Sequence, residues 1–367
     1  MIAYVSRFRK ALPGENNGML FSTRYSRLGG NEMCVPFQHG LSRKSLLGVL
    51  LACLICILTS TFVHAQKTSL YDDLFSVTFP SEKDGWASGR WGTVLHTSDG
   101  GKTWVRQQTG IDFTLSGIFF VDPQRGWAVG DEGTIIHTAD GGKTWEKQKS
   151  PVSYFLMDVY FATPQKGWIV GERTHILATT DGGKTWAVQF KDLDYILKAV
   201  SFCDPMNGWA VGEFGYIFHT KDGGTKWEQQ GGFSDLSEET GELIGGAYLF
   251  DVVAIDPKTA WAVGIEGYVT KTVDGGKTWQ QVNVGVPKTP LFSIAADRAK
   301  SMVIAGKGVF LVSQDKGQTW KKADVKPSIQ YSWIYRIAPR GPSNLVAVGQ
   351  GGAIYLGSSN TFQQVTY

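Results

Sequence analysis

"GWAVGDEGTIIHTADGGKTW", residues 126–145, decides the fold because it returns at a fixed distance. The Trp that ends it falls at 104, 145, 186, 227, 279 and 320, in steps of 41, 41, 41, 52 and 41 residues, and Phe362 follows 42 residues later. The Trp near its start recurs as Trp86, Trp127, Trp168, Trp209 and Trp261 with the same steps, after Gly in the first four, and Met302 and Leu345 fill that place in the last two units. Self-similarity at a fixed period of about 20–50 residues marks a repeat architecture. Two independent markers keeping one period count out seven units.

Each unit reads as four short strands. In the second, "LSGIFFVD" from Leu115, "WAVG" from Trp127, "TIIHT" from Thr134 and "TWEKQ" from Thr144 are separated by turns at Asp122, Asp131 and Asp140. Short β-branched and aromatic runs bounded by Gly, Pro and Asp are the strand signal. The pattern predicts an all-β, seven-bladed β-propeller with four antiparallel strands per blade. The expected blades are 74–107, 115–149, 155–190, 196–230, 248–282, 290–322 and 332–367, within a propeller domain of residues 66–367. An open solenoid would need polar caps at its ends, whereas the first unit already carries both Trp markers. The longer step between Trp227 and Trp279 comes from an insertion at 231–247, polar and flanked by Gly, at the entry to blade five. Long loops inside compact domains are more often functional than idle.

Gly141 to Thr144 also spell the tail of a phosphate-binding loop. Such a loop needs Gly-x-x-x-x-Gly-Lys-Ser/Thr between a strand and a helix. The first-Gly slot holds His137, with His96 and Ala178 in two copies, and no helical stripe follows. A tight turn accounts for the letters better, since Gly accepts positive φ and Asp bonds backbone N–H groups a few residues on. Thr138, Asp140, Gly142, Thr144 and Trp145 resemble the Asp-box of sialidases and other propellers. That resemblance implies a staple between third and fourth strands, on the face opposite the active or binding site. The pairs that carry it are Asp99 and Trp104, Asp140 and Trp145, Asp181 and Trp186, Asp222 and Trp227, Asp274 and Trp279, and Asp315 and Trp320. Thr225-Lys226 are swapped before Trp227, and Lys316 and Gln318 replace the usual Gly and Lys before Trp320.

Residues 1–65 read as a targeting segment. Leu46–Val63 is an apolar run behind Arg43-Lys44, and Val63-His64-Ala65 supplies small residues before a cleavage point after Ala65, the layout of a secretory signal. A retained membrane anchor is the alternative, since about 18 apolar residues could just span a bilayer. Met33 is an alternative start that leaves an ordinary basic n-region. The folded part is therefore expected outside the cytoplasm: in a periplasm, a lumen or the medium. Residues 1–65 hold seven Lys/Arg and two Asp/Glu, leaving 29 basic and 31 acidic residues of the chain's 36 and 33. That balance supplies no basic face for nucleic acid. Cys203 alone remains of the four cysteines, so stability must come from the core, and 13 Trp can build a large one.

"GWAVGDEGTIIHTADGGKTW" and its copies resemble the photosystem II stability/assembly factor family of seven-bladed propellers, over essentially all of residues 70–367. The resemblance implies a non-catalytic, chaperone-like protein whose partner is a reaction-centre subunit of a membrane complex under assembly, and no cofactor. The turn after each "AVG" should open on the face opposite the Asp-boxes. It supplies the candidate binding residues Arg90, Trp91, Asp131, Glu132, Glu172, Arg173, Glu213, Phe214, Glu266 and Lys307.

Asp-box propellers also include sialidases and glucanases, so a glycoside hydrolase or a carbohydrate-binding propeller is the alternative. "YRIAP" from Tyr335 distantly resembles the sialidase Arg-Ile-Pro motif, but stands at the wrong end of the chain, and no arginine trio stands at equivalent inner positions. His96, His137 and His219 occupy one equivalent third-strand position in three blades, where they diverge around the ring. No metal site and no catalytic constellation are expected, and the working form is expected to be a monomer.

Overall fold

Each of the first four units places a Leu at the start of an apolar strand and a Gly-Trp pair at the start of the next, and the two pair antiparallel. The computed structural model describes residues 72–366 apart from 193, 233–234, 237–242, 245–246, 298–300, 342–343 and 359. The apolar segment and cleavage point within residues 1–65 lie outside these residues.

The chain forms seven blades of consecutive antiparallel strands. In blade two these are Leu115–Phe120, Gly126–Gly130, Ile135–Thr138 and Glu146–Lys147, from the axis outward. The inner strands Leu74–Thr78, Leu115–Phe120, Leu156–Phe161, Leu197–Phe202, Leu249–Asp256, Leu291–Ala296 and Ile334–Pro339 pack in a ring around a central channel. Blade seven departs from four strands: Asp324–Lys326 adds a fifth, parallel to the outer strand Thr361–Gln364. No Asp-box closes this blade, and the connection from blade six covers its edge. Within the insertion, Asp235–Leu236 and Leu243–Ile244 form a small hairpin.

The second strand of each blade is buried on both faces, because neighbouring blades sandwich it. Trp86, Trp127 and Trp168 stack on Phe120, Phe161 and Phe202 of the following blade, at centroid distances of 3.7, 3.8 and 3.6 Å. The box Trp145, Trp186 and Trp227 then meet the same three rings edge-on at 5.9, 5.8 and 5.9 Å. Gly126 makes the contact feasible, since a Cβ there would overlap the Phe120 ring. His96, His137 and His219 lie against Trp86, Trp127 and Trp209 at 4.5, 4.9 and 4.1 Å, which gives them a packing role. Blade seven meets blade one without strand exchange: Val346, Val348 and Ile354 pack on Leu74 and Val77, and the Gly351 N–H donates to Asp73.

The DGG turns are stapled as their letters imply. Asp140 Oδ1 accepts from the Thr138 hydroxyl at 2.8 Å and the Thr144 N–H at 2.9 Å, while Oδ2 accepts from the Thr144 hydroxyl at 2.7 Å. Thr138 in turn accepts from the Gly142 N–H. The same pattern holds at Asp99, Asp181, Asp274 and Asp315. At Asp222 the swap puts the Lys226 N–H in the place of the Thr N–H and removes the hydroxyl bond. Hydrogen bonds from the Thr four residues on draw Asp140, Asp181, Asp274 and Asp315 down to about 2 from 3.8. Asp99 reaches about 2 against a desolvation that pushes it up.

Two outcomes follow from this packing. Trp127→Ala should lower the unfolding free energy by about 3–5 kcal/mol, as aromatic truncations in cores do, with Phe161→Leu costing less; urea titration checks both. Carboxylates whose folded pKa lies below the unfolded value stabilise above the unfolded value and lose that contribution as pH falls through the folded one. The melting temperature should therefore drop as pH falls from about 4 to about 2. Asp140→Asn should be less stable than the parent at pH 6, and the gap should close toward pH 2 in scanning calorimetry.

Candidate binding face

In an antiparallel blade the Asp-boxes and the turns between second and third strands lie at opposite ends. The upper face is thus built from those turns and from the connections between blades. The first residue of each turn donates its N–H to the carbonyl just before the inner strand of its own blade: Arg90 to Asp73, Asp131 to Thr114, Glu172 to Phe155, Glu213 to Ile196, Ile265 to Tyr248, Lys307 to Pro290 and Gln350 to Trp333, all at 2.9–3.1 Å. The third residue reaches the next blade, as in Gly92 to Phe113, Gly133 to Tyr154 and Thr174 to Tyr195. The second residue is left in the left-handed region, with φ of 52–56° at Trp91, Glu132, Arg173, Phe214 and Glu266. Glycine would relax that conformation, and sparsely populated backbone held by its surroundings clusters at functional sites.

The sequence-predicted residues separate into two groups. Glu172 and Glu213 fold inward, accepting the Phe155 and Ile196 N–H at 3.1 Å, and the two carboxylates flank Lys198. Desolvation lowers the Lys198 pKa while both carboxylates oppose it. Arg90 pairs with Asp73 at 3.1 Å and covers the Phe75 ring; Arg173 covers Tyr154, and Lys307 covers Trp333. Phe214 packs between Tyr195 and Tyr248. Asp131 bonds its own turn, accepting from the Glu132 N–H. Trp91, Glu132 and Glu266 project from the face, Trp91 with 64 % of its surface exposed, near Phe113 at 39 %. The turns thus bring together Glu172 and Glu213, and leave the others spread around the ring.

Two features of the face escape the turn-by-turn reading. A bulge follows the first residue of every inner strand, and bulges re-aim side chains. The re-aimed residues on the rim of the channel are Phe75, Ser116, Met157, Lys198, Phe250, Phe292 and Tyr335. Four of them form an arc of half-buried rings: Phe250 to Phe292 at 5.2 Å, Phe292 to Tyr335 at 5.8 Å and Tyr335 to Phe75 at 5.3 Å. One residue deeper, Arg336 spans three blades, donating to Asp251 at 3.1 Å and Asp158 at 3.4 Å. Asp251 also accepts from the Ser293 hydroxyl and the Ile294 N–H, and Asp158 from the Val159 and Val200 N–H groups. Burial pushes Asp158 up, against the pull of Arg336 and with the push of Asp251. Burial also works against the Arg336 charge, but the two carboxylates outweigh it and hold its pKa above the ordinary value. Below this layer a cavity of about 400 Å³, lined by Val77, Ile118, Phe119, Tyr160 and Val200 among others, continues toward the Asp-box face.

The signal for both features was present in the repeat register: the second and third residues of each inner strand, counted from its Leu or Ile. A charge in the third place, at Asp158, Asp251 and Arg336, interrupts strands that are otherwise apolar. Among the described residues no group of three or more His, Cys, Asp or Glu lies close enough to hold a metal ion.

A seven-bladed ring with Asp-boxes on one face and a turn-built rim on the other defines the class: an Asp-box β-propeller. A family model described as photosynthesis system II assembly factor YCF48 matches residues 106–154, 143–239 and 239–364. This covers more than half of the chain, which belongs to that family. The structure of YCF48 bound to D1 peptide is similar with a TM-score of 0.64 at 20% identity, covering 79% of this chain and 92% of that one. YCF48 from Cyanidioschyzon merolae gives 0.63 at 20% identity, covering 79% and 96%. The GH74 enzyme of Niastella koreensis shares the fold at a TM-score of 0.62 and 12% identity, and the match spans 54% of that enzyme and 80% of this chain. No curated protein sequence matches the chain.

Removing one partner of a buried ion pair strands the other charge and typically costs about 3–5 kcal/mol. Arg336→Ala should be destabilised on that scale at pH 7. Without the arginine, the buried Asp158 carboxyl loses the charge that pulls its pKa down, so it rises further above the unfolded value and the deficit should shrink as the pH is lowered toward 4. Chemical unfolding at pH 7 and pH 4.5 checks the sign.

Proposed function

We propose that this protein works outside the cytoplasm as a monomeric, non-catalytic scaffold, gripping a segment of another protein with the face opposite its Asp-boxes. Membership of the YCF48 family supports the reading, and a member of that family has been seen bound to a D1 peptide. The observation that carries it is the upper face itself: strained turns hold Trp91, Glu132 and Glu266 out to solvent around an aromatic channel rim. Exposed aromatic side chains on a rigid frame are the anchors that protein interfaces favour. Asp-box residues, by contrast, are consumed in closing their own turns. The partner that fits the family is a subunit of a membrane complex under assembly.

A non-catalytic role accords with the channel chemistry. Glycoside hydrolysis by the usual route needs a pair of carboxyl groups free to act as acid and as base or nucleophile. Asp158 and Asp251 are both committed to Arg336 and to backbone N–H groups. A saccharide-binding role would place sugar rings on the same aromatic rim and is the reading to exclude.

Cross-linking the exported protein in its native envelope, followed by mass spectrometry, tests the proposal. Cross-links from the upper-face turns to a membrane-complex subunit are expected, and Trp91→Ala should weaken capture at least about fivefold, the loss of an interface residue worth about 1 kcal/mol or more, while Asp140→Ala lowers the melting temperature and leaves capture intact. Hydrolysis of aryl glycosides or of xyloglucan by the purified protein, lost in Asp251→Asn, would overturn it.

A further inference from the structure

The aromatic arc on the rim has a charge environment that selects what can sit on it. Five carboxylates surround the channel mouth, Glu172 and Glu213 at rim level, Asp73 beside Phe75, and Asp158 and Asp251 one residue deeper, against four cations, Lys198, Arg90, Lys307 and Arg336. The mouth is therefore short of positive charge, inside a partly desolvated site where each charge interacts more strongly than in water. The faces of Phe250, Phe292 and Tyr335 add their own negative potential. Elsewhere the protein satisfies upper-face rings with its own cations: Arg90 lies 5.7 Å from the Phe75 centroid, Arg173 4.3 Å from Tyr154 and Lys307 5.6 Å from Trp333. Among the described residues no cation lies over Phe250, Phe292 or Tyr335.

We infer that the channel mouth is a cation-binding pocket that receives one arginine or lysine side chain of the partner protein, stacked on the Phe250–Phe292–Tyr335 arc above the Asp158–Arg336–Asp251 layer. The inference rests on the upper face being the one that binds. A guanidinium or ammonium within about 6 Å of a ring centroid gains from the ring quadrupole, and more when desolvated. Arg336 closes the channel beneath, so the side chain stops at the rim instead of threading the ring. An acidic or purely apolar insertion would leave the charge excess uncompensated. The apolar wall supplies contact area and the carboxylates supply the sign, so partner segments are selected for a basic residue.

The probe is a blocked pentapeptide, acetyl-Gly-Gly-Arg-Gly-Gly-amide, titrated into the full chain and followed by NMR line-broadening, beside norleucine and Glu analogues. The arginine peptide should bind about tenfold more tightly than the norleucine one, the upper end of what a partly desolvated cation–π contact with charge support gives, and the Glu peptide should not bind. Tyr335→Leu and Phe250→Leu, which keep the rim apolar, should each weaken the arginine peptide about fivefold at unchanged melting temperature. Equal binding of the arginine and norleucine peptides, unchanged binding in both variants, or binding of a xyloglucan oligosaccharide lost in the same variants would overturn the inference. The parent reading is tested separately: capture of the partner that depends on Trp91, with no arginine-peptide binding, keeps the face and discards the pocket. Arginine-peptide binding at the rim, with partner cross-links confined to the Asp-box face, keeps the pocket as a small-cation site and removes its role in partner recognition.

Discussion

A four-stranded blade has two apolar faces, and neither can be left to water. In this protein the requirement is met by stacking the second-strand Trp of one blade on the inner-strand Phe of the next, as Trp86 does on Phe120, Trp127 on Phe161 and Trp168 on Phe202. An array of such stacks leaves an apolar face at each end, which must be capped by polar residues or closed into a ring. Blade seven closes it by packing Val346, Val348 and Ile354 against Leu74 and Val77. Once the ring is closed, seven inner strands are forced side by side around one axis, and their equivalent residues form layers. The rim and the Arg336 layer are consequences of that geometry.

The repeat made the fold legible because Trp and Gly were fixed by packing at a constant spacing. The Asp-box could be read letter by letter, since each letter answers a local hydrogen-bond need within the same turn. Degenerate units were less transparent. Blade seven has Asn360 near the Asp slot, and nothing local announced that Asp324–Lys326 would pair in parallel with Thr361–Gln364 to cover its edge. That pairing depends on chain segments brought together only by the closed ring.

The upper-face turns could be placed from sequence, but what their side chains do could not. Glu172 and Glu213 look like exposed turn carboxylates in sequence, yet they bond the backbone of their own blade and hold Lys198 between them. Asp158, Asp251 and Arg336 lie far apart in the chain and meet only across the channel. Their shared place two residues after the inner-strand Leu or Ile was visible; that those places converge follows from the bulged strands around one axis. The same bulge turns Phe75, Phe250, Phe292 and Tyr335 from four separate aromatics into one wall.

Rigid boxes below and strained turns above divide the protein into a face that holds the ring together and a face that holds Trp91, Glu132 and Glu266 out to solvent. Hydrogen exchange of the protein with and without its co-purified partner tests the division most directly. The account predicts new protection in the turns at 90–92, 131–133 and 213–215 and in the inner-strand starts around 250, 292 and 335, with the turns at 140–144 and 181–185 unchanged. Protection confined to the Asp-box turns would contradict it.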